Sequence, residues 1–341
     1  MEIAIMPANL TPQYLAAEQR YKEAVTAQGK IEALEEMMAV IPKHKGTEKM
    51  RGDLRRRLAK LRNESGKKHG VSKASAMYSV QRDGAGQVVL AGGANAGKSS
   101  LLAALTNATP DIGEYAFTTR LPQPGMMPYE DINIQLVDMP PINPNFYEPW
   151  MGGLVRQADL ILLVADLSTD EMLDEIESVL TLLGNSGIQL HSGEEPEADQ
   201  NAMEFRQTLM VANKCDAPKS VENLGILKEF FERRFRILVS SAISGEGLDL
   251  LKQRVFEQLG VIRIYTKIPG RKVDLSSAPF VLKHGSTVLD AARTIHREFV
   301  HSLKFARIWT SPKSRHSVKY EGQMVERSHP LEDGDILELH L

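Results

Sequence analysis

The stretch QVVLAGGANAGKSSLLAAL sets Gly92, Gly97, Lys98 and Ser99 at the spacing G-x-x-x-x-G-K-S, between an apolar run and a helical one. That context suits a phosphate cradle. Glycines let backbone N–H groups curl around phosphate oxygens, and the positive end of the following helix faces the same anion. Asn95, Ala96 and Ser100 fall in the same loop and first turn. Lys98 would neutralise the terminal phosphates, and Ser99 would ligate magnesium.

Two later segments concern the rest of a nucleotide. VANKCDA places Asn213, Lys214 and Asp216 at the end of another apolar run. A carboxylate at Asp216 accepts two parallel hydrogen bonds from the ring N–H and exocyclic amine of guanine, which adenine does not present in that arrangement. The Lys214 stem would cover the base face. SSAISGEG, with Ser241, Ala242 and Ile243, offers the Ala242 N–H to the guanine oxygen. Between these motifs lies IQLVDMPPINP, Ile134–Pro144, where an apolar run ends at Asp138 and two prolines follow. Its position makes it the strand whose tip senses the last phosphate. A glycine N–H usually performs that task where Pro141 stands, and proline has none.

The elements that must position these residues are short apolar runs alternating with helical stretches. QVVLA, INIQLVD, LILLVAD, TLMVAN and RILVSSA read as buried strands of a mostly parallel α/β sheet covered on both faces. Ahead of them, Thr11-Pro12 starts a helix predicted to run to Pro42, and a second is predicted from Thr47 to about Asn63, together an antiparallel hairpin. HSGEEPEADQN, from His191, reads as a solvated acidic loop. After Val261 short strands surround one helix that begins at Thr287 with Asp290 as its capping-box partner. The last run, Ile336 to Leu339, follows an Asp-Gly turn and alternates like a strand. The divisions are 1–73, a helical hairpin and basic linker; 74–261, the nucleotide-binding part; and 262–341, a small β-rich domain.

The 341 residues suffice for such a three-part chain with a sizeable core. A lone cysteine, Cys215, forms no intramolecular disulfide, the start lacks a signal-peptide pattern, and the most apolar run, Leu160–Ala165, is of strand length. These features point to a cytoplasmic protein without a membrane segment. Charge is unevenly spread: Lys43–Lys73 carries a net +9, Ala74–Val261 a net −13, and Ile262 to the end a net +4. The basic ends, not the acidic middle, are therefore expected to meet a polyanion.

As a set, these motifs resemble the translation-factor class of P-loop GTPases, and within it the DRG branch of the Obg-related GTPases. KHKGTEKMRGDLRRRLAKLR is similar to that family's N-terminal helical segment. YTKIPGRKVD, LKHGSTVLDAARTIHREF and HPLEDGDILELH are similar to its C-terminal TGS domain, a ubiquitin-like β-grasp. The resemblance implies GTP and GDP as ligands, Asp138 as holder of a magnesium-bound water, and Thr119 of FTTR as second magnesium ligand. Asn95 sits where related loops resemble potassium sites; its other reading is a loop-stabilising side chain. Lys98, Thr119 and Asn95 are thus the expected catalytic set, for slow hydrolysis coupled to ribosome or RNA binding. The alternative is a ribosome- or RNA-associated guanine-nucleotide binder with negligible hydrolysis.

The chain also departs from the family. A glycine-rich second switch is replaced by DMPPINPNFYEPWMGG, with Ile142 where other GTPases carry a glutamine. The small extra domain ahead of NKxD is missing or reduced to the acidic loop, which bears on any accessory protein reached through it. Phe299–Tyr320 holds Lys304, Arg307, Lys313, Arg315 and Lys319 with Phe305, Trp309 and Tyr320, and no carboxylate. Cations with aromatics suit structured RNA; Phe305 and Trp309 also fit a reading as core residues. Arg55, Arg56 and Arg57 make the N-terminal segment a second candidate RNA contact, or a solvated face.

Overall fold

The computed structural model describes residues 12–23, 27–41, 50–58, 78–106, 121–193, 203–270, 277–312, 314 and 321–340. They form two compact units, 1–78 and 79–341.

In the first unit α1 spans Pro12–Glu23, α2 Ala27–Val40, and α3 residues 50–58. The single helix expected from Pro12 to Pro42 is corrected to two. Arg20 Nη1 lies 2.8 Å from Glu36 Oε2, whereas sixteen residues of continuous helix would separate them by about 24 Å. The chain therefore reverses between α1 and α2. Thr26, a good N-cap type just before α2, was the overlooked signal. Tyr14, Ala17, Leu34, Met37, Ile41 and Leu54 form the shared core. Arg55, Arg56 and Arg57 are exposed on α3.

The second unit holds two sheets. The larger comprises β1 Gln87–Gly92, β2 Gln123–Tyr129, β3 Ile132–Asp138, β4 Leu160–Asp166, β5 Ile188–His191, β6 Glu204–Asn213 and β7 Arg236–Val239. Its order is β2-β3-β1-β4-β6-β5, with β7 also on β6, and all pairs except β2/β3 are parallel. The five expected strands are all present. β2 escaped notice because QPGMMPY carries two prolines, a composition that an edge strand tolerates. β5 is four residues on the far side of β6, too short to show a period. It takes in His191, the first residue of the segment read as an acidic loop; residues 194–201 of that segment lie outside the described residues.

Alternate residues of β1 face opposite layers. Val88 and Leu90 pack with α4 (Lys98–Leu105) and α8 (Leu248–Leu259). Val89 and Ala91 pack with α5 (Pro149–Gln157), α6 (Met172–Asn185) and α7 (Ser220–Phe231). β1 is buried throughout, as a central parallel strand must be. The phosphate loop thus hangs from a fully buried strand inside the sheet.

The smaller sheet has order β11-β10-β12-β8-β9. Its strands are β8 Val261–Thr266, β9 Phe280–Lys283, β10 Phe305–Thr310, β11 Gln323–Val325 and β12 Asp335–His340, with α9 Val288–Ile295 and α10 Phe299–Ser302. Thr287 and Asp290 form the expected capping box at α9. β12 does not alternate between buried and exposed positions. It is the central strand, and its buried Glu338 is held by Lys267 Nζ at 2.5 Å and His340 Nε2 at 2.8 Å.

Arg263, on β8, joins the two sheets. Its nearly buried guanidinium reaches Asp333 at 2.7 Å, Asp131 at 3.0 Å and Glu130, and lies 5.0 Å over the Phe256 ring. Tyr265 Oη donates to Asp131 at 2.5 Å. Glu130 and Asp131 form the β2/β3 turn, so the far end of the strand that carries Asp138 is anchored on the smaller sheet.

Candidate functional site

The ends of β1, β3, β4 and β6 converge at one edge of the larger sheet. Leu90 is paired with Asp138, Gly92 with Val164, and Asp166 with Asn213. Parallel pairing therefore brings together motifs that are over a hundred residues apart. A site at the carboxyl ends of parallel strands is where open α/β sheets bind ligands.

The loop leaves β1 at Gly92, where an added Cβ would lie 2.6 Å from the Val164 carbonyl oxygen. Gly97 has φ 89°, and a Cβ there would collide with the Asn213 amide. Both glycines are required by close approach, and Gly97 also by its left-handed backbone. Asn95, at φ 57°, is exposed. Asparagine tolerates that conformation, which gives the residue a reason to be there independent of any ion.

Lys98 is buried, and its ammonium donates to the Gly92 and Gly93 carbonyls at 3.2 and 2.6 Å. Burial pushes its pKa down to about 8, against the opposing charges of Asp138 and Glu175. Ser99 Oγ donates to Asp138 Oδ2 at 2.5 Å. Asp138 is fully buried, and its Oδ1 accepts no hydrogen bond among the described residues. Burial raises its pKa, with the Ser99 hydrogen bond and the Lys98 charge opposing. An orphaned carboxylate oxygen beside a hydroxyl is the donor set that a hydrated magnesium ion satisfies. Thr119 lies outside the described residues, so the second expected ligand is not placed.

Asn213 braces the site. Its Nδ2 donates to the Ala96 carbonyl at 3.0 Å, and its Oδ1 accepts from the Ala242 N–H at 3.3 Å. Lys214, at φ 62°, is drawn across the site by an ion pair of 2.5 Å with Asp166. Asp216 is exposed, and its carboxylate accepts no hydrogen bond among the described residues. The buried Ser241 hydroxyl accepts from the N–H groups of Ile243 and Ser244 at 3.2 and 3.0 Å, folding the SSAIS turn. Ile243 itself is 83% exposed at the rim. Ser100 follows in the first turn of α4.

Beyond Asp138, Met139, Pro140, Pro141 and Ile142 are all buried. The Ile142 N–H donates to the Gly92 carbonyl at 3.1 Å, so this segment rests on the phosphate loop. Asn143 Oδ1 accepts from the N–H groups of Asn145 and Phe146, closing a turn before α5. Glu175 on α6 was not anticipated; its carboxylate lies 2.6 Å from where a Gly93 Cβ would sit. Its only sequence signal is a place in an acidic helix. Burial, and next the Asp166 charge, raise its pKa.

A family model described as "50S ribosome-binding GTPase" matches residues 87–192, and one described as "TGS domain" matches 262–341. An uncharacterized GTP-binding protein of Methanocaldococcus jannaschii is 32% identical, the match covering 90% of this chain and 91% of that protein. Ribosome-interacting GTPase 1 of Saccharomyces cerevisiae is 28% identical over 90% and 97%. Developmentally-regulated GTP-binding protein 2 of Homo sapiens is 26% identical over 91% and 98%. A GTP-binding protein of Pyrococcus horikoshii of known structure covers 74% of this chain at 14% identity with a TM-score of 0.47. The phosphate loop and the NKCD segment stand on one sheet edge, and the TGS match follows it. This chain belongs to the Obg/DRG family of P-loop GTPases with a C-terminal TGS domain.

Proposed function

We propose that the chain binds GTP and GDP with magnesium, hydrolyses GTP slowly, and couples its nucleotide state to a ribosome or other structured RNA. One observation carries the nucleotide reading. The buried Lys98 and the Ser99–Asp138 pair face one end of the site, while the unpartnered Asp216 carboxylate stands at the other. In this reading phosphates replace the loop carbonyls as partners of Lys98. Ser99 and Asp138 hold magnesium directly and through water, with Thr119 as its second ligand. Magnesium, when bound, neutralises charge between the last two phosphates. The guanine oxygen takes the Ala242 N–H from its long bond to Asn213, and the Lys214 stem lies along the base.

A second reading, tight binding with negligible turnover, has its own support. Pro141 has no N–H, and the next one, on Ile142, is engaged by Gly92. The experiment that separates the two is single-turnover GTP hydrolysis in potassium and in sodium, with and without ribosomes. Turnover that ribosomes accelerate supports the first reading; none under any condition supports the second.

For RNA, the smaller sheet supports stacking over burial. Ala306 and Ile308 enter its core, whereas Phe305, Arg307 and Trp309 point to the other face. Phe305 stacks on His340 at 4.4 Å, and Lys267 sits 4.0 Å over Trp309. The yeast relative's name, Ribosome-interacting GTPase 1, agrees with this direction.

A further inference from the structure

The acidic middle of the chain contains one strongly basic place. Four of its thirteen cations, Lys228, Arg233, Arg234 and Arg236, fall within nine residues. They line a cleft of about 500 Å³ between the end of α7, the start of β7 and Gln258 of α8, with Glu232 as its one carboxylate. β7 begins at Arg236, beside Leu209 in the middle of β6, so the cleft opens away from the edge where Asn213 and Lys98 lie. It is not part of the nucleotide site.

Arg234 is the informative residue. Its guanidinium is 4.9 Å over the Phe235 ring, and Nη2 donates to the Leu190 carbonyl at 3.3 Å. Partial burial lowers its pKa, and no carboxylate among the described residues offsets that. Arg234 is exposed, so a guanidinium fixed in this way, with no counter-ion among the described residues, is open to an incoming anion. Lys228, Arg233 and Arg236 are exposed, line the cleft, and have no ion-pair partner among the described residues.

We propose that this cleft binds the phosphate backbone of RNA, a contact additional to the N-terminal helix and the TGS sheet face. The choice of RNA over other polyanions rests on the function proposed above. A guanidinium held by a ring face and a carbonyl keeps a planar edge free for two phosphate oxygens. Lys228, Arg233 and Arg236 then track the neighbouring phosphates. Among the described residues the cleft has no exposed aromatic side chain for stacking, so it should read backbone and not sequence.

The test uses the full chain, an Arg233→Gln/Arg236→Gln variant, and Lys252→Glu on α8, which changes net charge by the same two units outside the cleft. The probes are a labelled 20-nucleotide RNA hairpin and a 20-residue poly-glutamate. The double variant should bind the hairpin roughly tenfold more weakly, with the slope of log affinity against log salt flattened by about 1.4–1.8. Lys252→Glu should match wild type, and GDP affinity should be equal in all three. Equal hairpin affinity and slope in wild type and double variant overturns the cleft assignment while leaving RNA binding intact. A wild type that does not bind the hairpin refutes the RNA reading and this inference with it. Cleft-dependent binding of poly-glutamate without binding of RNA overturns the proposal in favour of an acidic protein partner.

Discussion

The Ile142 backbone N–H donates to the Gly92 carbonyl at 3.1 Å, and the same carbonyl accepts from the Lys98 ammonium at 3.2 Å. The segment after Asp138 is therefore fastened to the phosphate loop through the residue that follows Pro141. A contact to the loop's own backbone does not depend on a third phosphate. Since a ligand shifts a switch only by its differential affinity for two states, this arrangement is predicted to weaken discrimination between GTP and GDP.

Pro141→Gly restores a donor at that place. One charge-assisted hydrogen bond is worth about 1.5–3 kcal/mol, so preference for a non-hydrolysable GTP analogue over GDP should widen by roughly ten- to a hundredfold. The variant should also lose about 0.4–1 kcal/mol of stability through the unfolded chain. Calorimetric titration of both nucleotides checks the first effect; an unmoved ratio would show that the missing N–H is irrelevant.

Asp216→Asn should abolish guanine selectivity. An amide cannot accept from both guanine donors, and the lost pair costs roughly ten- to a hundredfold in GDP affinity. Because Asp216 is exposed, the melting temperature should stay unchanged. GDP and ADP affinities measured side by side decide the matter.

The Lys98 ammonium is predicted to make nucleotide binding pH-dependent. Its pKa of about 8 lies below the ordinary 10.5, so the unfolded chain binds more protons between those values. This group's contribution to the stability of the nucleotide-free protein therefore rises as pH climbs from about 8 to 10.5. Phosphates require the charged form, so GDP affinity should fall above pH 8, approaching roughly tenfold per pH unit. Titrations from pH 7 to 9.5 that show a flat affinity would contradict this.

Arg263→Ala leaves Asp131, Asp333 and Glu130 facing one another without their cation. The carboxylates left behind are 19–44% exposed, so the loss should be about 1–3 kcal/mol, less than for an unpaired buried charge. The thermal transition should move down and divide in two as the smaller sheet loosens. A single unshifted transition would mean that the apolar contacts around Phe256 suffice.

Asn95→Ala tests the cation. If Asn95 ligates potassium, wild-type hydrolysis is faster in potassium than in sodium, and the variant loses the difference while keeping GDP binding. Equal wild-type rates leave Asn95 with only its backbone role at φ 57°.

The sequence by itself determined the motifs and most of the elements. Gly92, Gly97, Lys98 and Ser99 announce a phosphate loop because only glycines fit where backbone meets backbone and anion. Asp216 led to the proposal of guanine because a carboxylate's acceptor pattern matches that base. The buried parallel strands announce themselves as apolar runs, and Thr287 with Asp290 announces the start of α9. Tertiary structure decided what local patterns cannot encode. Strand order placed Asn213 between Ala96 and Ala242, and turned the Lys214 stem toward Asp166. The packing of α6 brought Glu175 against Gly93, and the packing of α1 against α2 split what read as one helix. Alternation along β10 put Ala306 in the core and Trp309 outside it, a choice set by which face α9 covers. The physical reason is range: capping hydrogen bonds and φ preference act within a few residues, and the sequence displays them. Pairing and burial join residues over a hundred apart, and only the folded chain displays those.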